Sequence, residues 1–388
     1  MQESATLKMA KISRELKAQG HDVIDLSIGE PDFDTPIHIK NAAKDAIDKG
    51  YTHYTPVSGY LDLRKAIAAK LKRDNGLDYT PDQIVVSTGA KQSIANVVLS
   101  LINPGDEVLL PAPYWVSYSA IADLAEGKSV EVHASIDNDF KITAAELESH
   151  ITPKTKLIIF SSPCNPTGSV YSRDELGALA IMLSKYPNVY VICDEIYEYI
   201  NYTGQPNDSL AQFAEIKDQV ITVNGFSKGF AMTGWRLGYI AAPLWIAQAC
   251  DKMQGQITSG TCSIAQMAGI AAASGDMQPT YDMVTEFRRR RDLVYQLLND
   301  IPGIRTNLPD GAFYFFFDVS SFFGKSFNGF TVNSPEDMST YLLKEALIAL
   351  VNGEAFGDQK CLRLSYAASQ EKLIKVCERL KAALAKLN

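Results

Sequence analysis

Between residues 84 and 242 short β-rich runs alternate with helical stretches of about three or four turns, and this alternation constrains the fold most. The strand-like runs are QIVVS, EVLL, SVEVHA, KLIIF, VYVIC, QVITVN and RLGYIAA, and TGAKQSIANVVLSLI, SYSAIADLA, TAAELESHI and SRDELGALAIMLSKY fall between them. Apolar runs of this kind, separated by helices, predict a largely parallel α/β sheet covered on both faces. Upstream, residues 4–19 read as an amphipathic helix closed by Gly20, with Leu7, Ala10, Ile12 and Leu16 facing inward. VIDLSIG predicts a strand ending at Gly29, and helices follow over 36–49 and 60–74, the second carrying Leu61, Leu63, Ile67 and Leu71. After 243 the chain is mostly helical to 299. GAFYFFFDV and CLRLSYA then read as strands, with helices over 335–348 and 370–385, which predicts a smaller α+β domain packed with the N-terminal segment. Residues 320–330 have no clean period and are expected to form an irregular surface excursion or a mobile cover near the site.

A net charge of −8 argues against a general nucleic-acid surface. The one basic run, Arg288 to Arg291, is expected on a solvated helix face. Six cysteines without paired short spacing suit a reducing compartment, and five scattered histidines give no metal-ligand spacing. With no apolar signal core and no run of 18 apolar residues, the expected location is the cytoplasm, without membrane or metal partners.

The stretch VITVNGFSKGFAMTGWRLGYI, residues 220–240, places Lys228 in a glycine-bordered loop between two apolar strands, with Arg236 eight residues on. An arbitrary lysine is a solvated surface charge. Here Gly225, Gly229 and Gly234 leave the backbone free for close approach, and the ends of α/β strands are where ligands sit. Arg236 adds a planar fork for a phosphate or carboxylate. An amine beside an anion site is what a pyridoxal phosphate enzyme requires, because the lysine holds the cofactor as a Schiff base.

Other residues suit the same chemistry, each with a plainer reading. Gly89 and Ala90 leave backbone N–H groups free for a phosphate at a helix start, or form a simple strand–helix turn. Asp194 ends a strand where it could face a heteroaromatic nitrogen, or cap a helix, and Tyr197 lies three residues on. Glu195 and Glu198 are expected to be solvated. Asn165 in SSPCNPTG presents an amide inward or belongs to an ordinary turn. Trp115 stacks on a flat ring or fills a core. Arg363 interrupts an apolar strand and needs an anion, either a substrate carboxylate or a structural partner. His21, His38, His53, His133 and His150 read as surface or packing residues.

Taken together, GEPDFDTP (29–36), YTHYTPVSG (51–59), STGAKQ (87–92), NPGDEVLLPAPYWVSY (103–118), SSPCNPTG (161–168), CDEIYE (193–198), NGFSKGFAMTGWRLGY (224–239), PDGAFY (309–314) and RLSYA (363–367) resemble the fold-type I pyridoxal phosphate aminotransferases, in the bacterial aspartate aminotransferase branch of class I. They cover nearly the whole chain in family order. The resemblance implies a large cofactor domain over 46–285 with a mostly parallel seven-stranded sheet, a small domain over 286–388, and an N-terminal segment, 1–45, packing with it. It implies Lys228 as the cofactor lysine and proton carrier, Asp194 as partner of the pyridine nitrogen, and Asn165 and Tyr197 as the pair at the ring oxygen. Trp115 resembles the stacking residue, and Arg236, Ser227, Gly89 and Ala90 the phosphate site. Tyr54 matches a tyrosine reaching the phosphate from a second subunit, which implies a homodimer. Arg363 matches the α-carboxylate arginine, and Gly29 lies where the N-terminal segment closes over substrate. Trp115 and Asn165 also touch substrate in such enzymes.

Lys91 resembles the lysine that reads the distal carboxylate of aspartate or glutamate, with an exposed lysine free of substrate as the plain alternative. Three departures bear on selectivity. No clear match exists for the distal-carboxylate arginine of the better-known aspartate enzymes, and Ser259 and Thr261 offer only hydroxyls. Gly225 stands where many relatives place a phosphate-binding serine, so Ser227 is the substitute to consider. Asn352 stands where proline is common. The expected reaction moves an amino group between aspartate or glutamate and 2-oxoglutarate or oxaloacetate. The competing expectations are an aromatic or prephenate aminotransferase, a β-lyase on the same cofactor, or a non-catalytic protein on this fold.

Overall fold

The computed structural model describes residues 5–388. Seven strands form the main sheet: β1 (Ile84–Ser87), β2 (Glu107–Ala112), β3 (Lys128–His133), β4 (Thr155–Ser161), β5 (Tyr190–Asp194), β6 (Val220–Gly225) and β7 (Gly238–Ala241), in the order β1-β7-β6-β5-β4-β2-β3. The pairs from β6 through β5, β4 and β2 to β3 are parallel, and β7 runs antiparallel to both β6 and β1. Residues 226–237 contain only a 3-10 turn, Thr233–Trp235, between β6 and β7. Without a crossover helix the chain returns antiparallel.

Alternate side chains divide between two cores, because successive strand residues point to opposite faces. Ile84, Val86, Leu109, Ile158 and Val191 join one with the helices Leu61–Asn75, Arg173–Leu183 and Ser263–Ser274. Val85, Val108, Leu110, Ile159 and Ile192 join the other with Ala90–Leu101 and Leu244–Ile257. A third core collects Ile24, Leu26, Phe287, Phe313, Phe315, Phe317, Tyr341 and Leu373. It lies on a three-stranded antiparallel sheet of Val351–Asn352, Cys361–Ser365 and Tyr314–Asp318. The N-terminal segment is tied to this region by Ile24–Asp25, which pairs in parallel with Ile348–Ala349.

Several local expectations are corrected. The first helix, Ala5–Ala18, buries Ala10 and Ser13 and half-buries Ile12 and Leu16, whereas Leu7 is 61% exposed. Leu61 is likewise exposed at the start of its helix. The helix expected over 335–348 stops at Glu345, because 348–349 is taken by the strand that meets the N-terminal segment. Residues 326–331 form a small hairpin whose Phe327 and Phe330 pack on Tyr341, so this excursion is no cover for the main cavity.

The arginine run is only half solvated. Met283, Phe287, Val294 and Leu298 form the buried stripe of the helix Gln278–Asn299, and Arg290 and Arg291, three and four residues beyond Phe287, fall on it. Arg290 is buried beside Asp32 (2.6 Å) and Glu286 (3.0 Å), and Arg291 donates to Pro309 O (3.0 Å) over the Tyr202 ring. Glu195 and Glu198 are also buried rather than solvated. Glu198 pairs with the buried Lys70 and accepts from Asn75 Nδ2 (3.0 Å). Glu195 has a carboxyl oxygen with no partner, and burial pushes its pKa up to about 8. At neutral pH it is held largely protonated, which lowers the penalty of enclosing it.

Candidate active site

The parallel strands deliver their C-terminal ends to one cavity of about 370 Å³. Ala90 and Lys91 come from the turn after β1, Trp115 and Tyr118 from the segment after β2, and Ser161 and Asn165 from β4 and its turn. Asp194 ends β5 and Tyr197 lies three residues beyond it, and Ser227, Lys228 and Arg236 lie in the β6–β7 connection. Gly29 and Glu30 of the N-terminal segment, with Tyr314 and Arg363 of the small sheet, close the far side. Ligands of open α/β sheets bind at this end of the strands.

Lys228 stands half-buried with its Nζ donating to Gly29 O and lying 5.7 Å from the ring centres of Tyr197 and Phe313. Burial lowers its pKa to about 8; Glu30 opposes the shift, and Arg363 and Arg236 add to it. About a tenth of the amine is therefore unprotonated at pH 7, far more than for an ordinary lysine, and it is the unprotonated amine that acts as nucleophile. Asp194 is buried, accepting from Tyr118 Oη (2.8 Å) and from the Ile196 N–H (3.2 Å). Burial lifts its pKa to about 6, and those two hydrogen bonds and the Lys228 charge limit the rise. A cationic ring nitrogen beside it would favour the carboxylate further.

Arg363 is 2% exposed, yet no carboxylate of the described residues pairs with it. Its Nη1 donates to Asn165 Oδ1 (2.9 Å) and its Nη2 to Ser27 O, while Nε has no partner. The guanidinium lies over the rings of Tyr314 (4.6 Å) and Phe356 (4.9 Å). A buried cation without an internal counter-ion is a receptor for an external anion. Lys91 is a second cation without an acidic partner among the described residues; it lies 4.9 Å from the Trp115 ring. Burial and Arg236 lower its pKa.

The anion cradle lies between the helix Ala90–Leu101 and Arg236. Gly89 precedes the helix with φ 84°, and no side chain caps it, so its first N–H groups remain available. A Cβ at Gly89 would lie 2.5 Å from Arg236 Nη2, so a side chain there would displace the guanidinium. Gly225 is equally explained. A Cβ at this position would meet Gly238 Cα and Leu237 O at 2.9 Å, leaving no room for a serine. Ser227, two residues on and beside Lys228 in the sequence, brings a hydroxyl residue to the cavity wall.

The cavity does not gather every expected residue. Tyr54 is 99% exposed and does not line it, Ser259 and Thr261 do not either, and Gly89 lies behind Ala90 rather than on the wall. Thr261 turns its hydroxyl to Thr88 Oγ1 (3.2 Å). Asn352 pairs with Leu362 inside the small sheet. Conversely, Tyr118, Tyr314 and Glu30 line the cavity without having been singled out. Tyr118 lies one turn beyond Trp115, a spacing that brings two aromatic rings together at 5.6 Å. Tyr314 lies on the sheet face it shares with Arg363, since Tyr314 opposes Ser365 and Phe316 opposes Arg363.

An amine, a buried carboxylate, an uncapped helix start with an arginine and a carboxylate receptor all face one cavity. These residues fit pyridoxal phosphate, and together with the doubly covered sheet they define a fold-type I pyridoxal phosphate enzyme. Residues 21–380 match the family described as aminotransferase class I and II. The chain is 49% identical over 387 residues to a bifunctional aspartate aminotransferase and glutamate/aspartate-prephenate aminotransferase of Petunia hybrida, covering 98% of this chain and 80% of that protein. It is 45% identical to an aspartate/prephenate aminotransferase of Cereibacter sphaeroides, over 99% of this chain and 97% of that one. The crystal structure of the Rhizobium meliloti aspartate aminotransferase superposes with a TM-score of 0.97 at 41% identity, covering 100% and 98% of the two chains. The chain belongs to the class I and II aminotransferases, in the aspartate aminotransferase branch. It is an aminotransferase that works through pyridoxal phosphate.

Proposed function

We propose that this chain exchanges amino groups between aspartate or glutamate and the 2-oxo acids oxaloacetate or 2-oxoglutarate. The observation that carries this reading is the presence in one cavity of two cations, Arg363 and Lys91, neither paired to a carboxylate of the described residues. A dicarboxylic substrate supplies an anion to each. Arg363 takes the α-carboxylate by a bidentate pair, and Lys91 takes the distal one. Gly29, Trp115 and Asn165 complete the substrate wall.

Bound pyridoxal phosphate supplies the electron sink of the reaction. The backbone at Gly89 and Ala90, together with Ser227 and Arg236, would hold its phosphate, the Gly89 N–H itself being donated to Ser87 O (2.8 Å), with Tyr54 of the partner subunit in a homodimer with shared sites. The full exposure of Tyr54 supports that role, because a tyrosine so placed does nothing for its own cavity. Trp115 would stack on the ring, Asp194 would hold a proton on the ring nitrogen, and Asn165 and Tyr197 would serve the ring oxygen. Lys228 Nζ would take the proton from the substrate α-carbon and deliver it to the cofactor carbon that ends up bearing the amine, rather than back to the α-carbon. Residues 46–285 form the cofactor domain, 286–388 the small domain, and 1–45 the segment packing with it, of which residues 1–4 lie outside the described ones. Among the described residues no helix is long and apolar enough to cross a membrane, and all six cysteines are free; a cytoplasmic location agrees with both.

The names of the Petunia and Cereibacter relatives favour a second reading, prephenate as an amino acceptor. Prephenate also carries two carboxylates, so the same cations suit it. Lys91→Gln tests the distal site. It is expected to lower kcat/KM for aspartate roughly thirtyfold, about 2 kcal/mol for a charged hydrogen bond, and to leave alanine within a factor of two. Equal losses for both amino acids would remove Lys91 from the substrate site. Measured turnover of prephenate against 2-oxoglutarate, with the same amino donor, then separates the two acceptors.

A further inference from the structure

We propose that Tyr314 is a positioning residue: its hydroxyl donates to Tyr197 Oη and thereby turns the Tyr197 proton into the cavity, while its ring supports Arg363. The inference rests on the reading of Tyr197 as the partner of the cofactor's ring oxygen. Tyr314 is buried, lines the cavity, and its Oη lies 2.7 Å from Tyr197 Oη, the one hydrogen-bond partner it has among the described residues. Each phenol carries a single proton. Were Tyr197 to donate to Tyr314, the Tyr314 proton would be left without an acceptor in a buried place, a penalty of about 1–3 kcal/mol. With Tyr314 as donor, Tyr197 directs its own proton toward the cavity, where an oxygen of the bound cofactor accepts it. The chain of two donors also polarises the second bond.

The surroundings fix Tyr314 in this position. Its ring lies against the Arg363 guanidinium at 4.6 Å, and the ring centres of Tyr197 and Tyr314 are 5.8 Å apart, edge to face. A Cβ on Gly29 would come within 2.1 Å of the Tyr314 hydroxyl, so glycine at 29 leaves the space the phenol occupies. Gly29 O in turn accepts from Lys228. One side chain thus touches the residue facing the ring oxygen, the carboxylate receptor and the N-terminal strap.

The test uses the holoenzyme and reads the pH midpoint of the cofactor's visible band, which a merely structural role would leave in place. Hydrogen bonding from Tyr197 favours negative charge at the ring oxygen, so weakening it lets the proton be held to higher pH. Tyr197→Phe is expected to raise the midpoint. Tyr314→Phe, which keeps the ring, is expected to raise it by roughly a tenth to a third as much and to have no further effect in the Tyr197→Phe background. If Tyr197→Phe moves the midpoint and Tyr314→Phe does not, the positioning role is overturned while the reading of Tyr197 stands. If Tyr197→Phe is itself without effect, that reading fails and the inference falls with it. KM for amino acids is expected to be unchanged in Tyr314→Phe and raised several-fold in Tyr314→Leu, which removes the ring beneath Arg363.

Discussion

Lys228→Ala is expected to give a folded protein with less than a hundredth of the wild-type turnover at saturating pyridoxal phosphate. The two halves of that expectation have separate causes. Among the described residues the side chain makes one hydrogen bond, to Gly29 O, and no ion pair, so its loss removes little that holds the fold. Truncating a half-buried side chain with so few partners changes stability by about 1 kcal/mol. Its chemical role has no substitute within reach, because the other lysine on the cavity wall, Lys91, is turned over the Trp115 ring. Circular dichroism and steady-state kinetics on the same preparation separate the two effects, and turnover above a hundredth of wild type would remove Lys228 from its role. The amine also sets a pH dependence. With a pKa lowered to about 8, Lys228 becomes nucleophilic as the pH rises through about 7 to 9. Capture of pyridoxal phosphate by apoprotein, followed by its visible absorbance, is expected to accelerate over that interval and level off above it.

Replacing Arg363 by leucine is expected to raise KM for every amino acid and oxo acid by at least about thirtyfold, and up to a few thousandfold, while the cofactor's visible band still forms without substrate. Removing one partner of a buried charge pair costs about 2–5 kcal/mol of binding. In the substrate-free chain Arg363 has only the Asn165 and Ser27 oxygens to donate to, and Nε has nothing. No internal carboxylate is stranded by the substitution, so the loss falls on substrate binding rather than on the fold. Unchanged KM values for acidic and neutral amino acids alike would show that the α-carboxylate binds elsewhere.

The sheet was legible from residues 84–242 because a strand buried on both faces is apolar along its whole length, as in IVVS and VITVNG, and carries its own signal. Lys228 and Arg363 stood out for the opposite reason: each is a cation set in an apolar stretch, and both reach the cavity. What local sequence could not reveal was which other charges are buried. Glu198 is enclosed because Lys70, 128 residues earlier, packs against it. Arg290 is enclosed because Asp32, 258 residues earlier, does the same. A run of four arginines looks solvated until the helix stripe beneath it is known. Tyr118 and Tyr314 were hidden likewise, since their neighbours Asp194 and Tyr197 lie 76 and 117 residues away. Leu7 was misassigned by a helical period that is sound for Ala10 and fails at the first turn, where Leu7 sits at the cavity wall.

The most direct test of the central claim is a half-reaction titration of the holoenzyme with aspartate, glutamate, phenylalanine and alanine in turn. Aspartate and glutamate are expected to convert the cofactor's visible band to that of the aminated cofactor at low concentration, with alanine needing far more because it offers nothing to Lys91. Conversion driven chiefly by phenylalanine, with the acidic amino acids inert, would contradict the assignment of an acidic substrate.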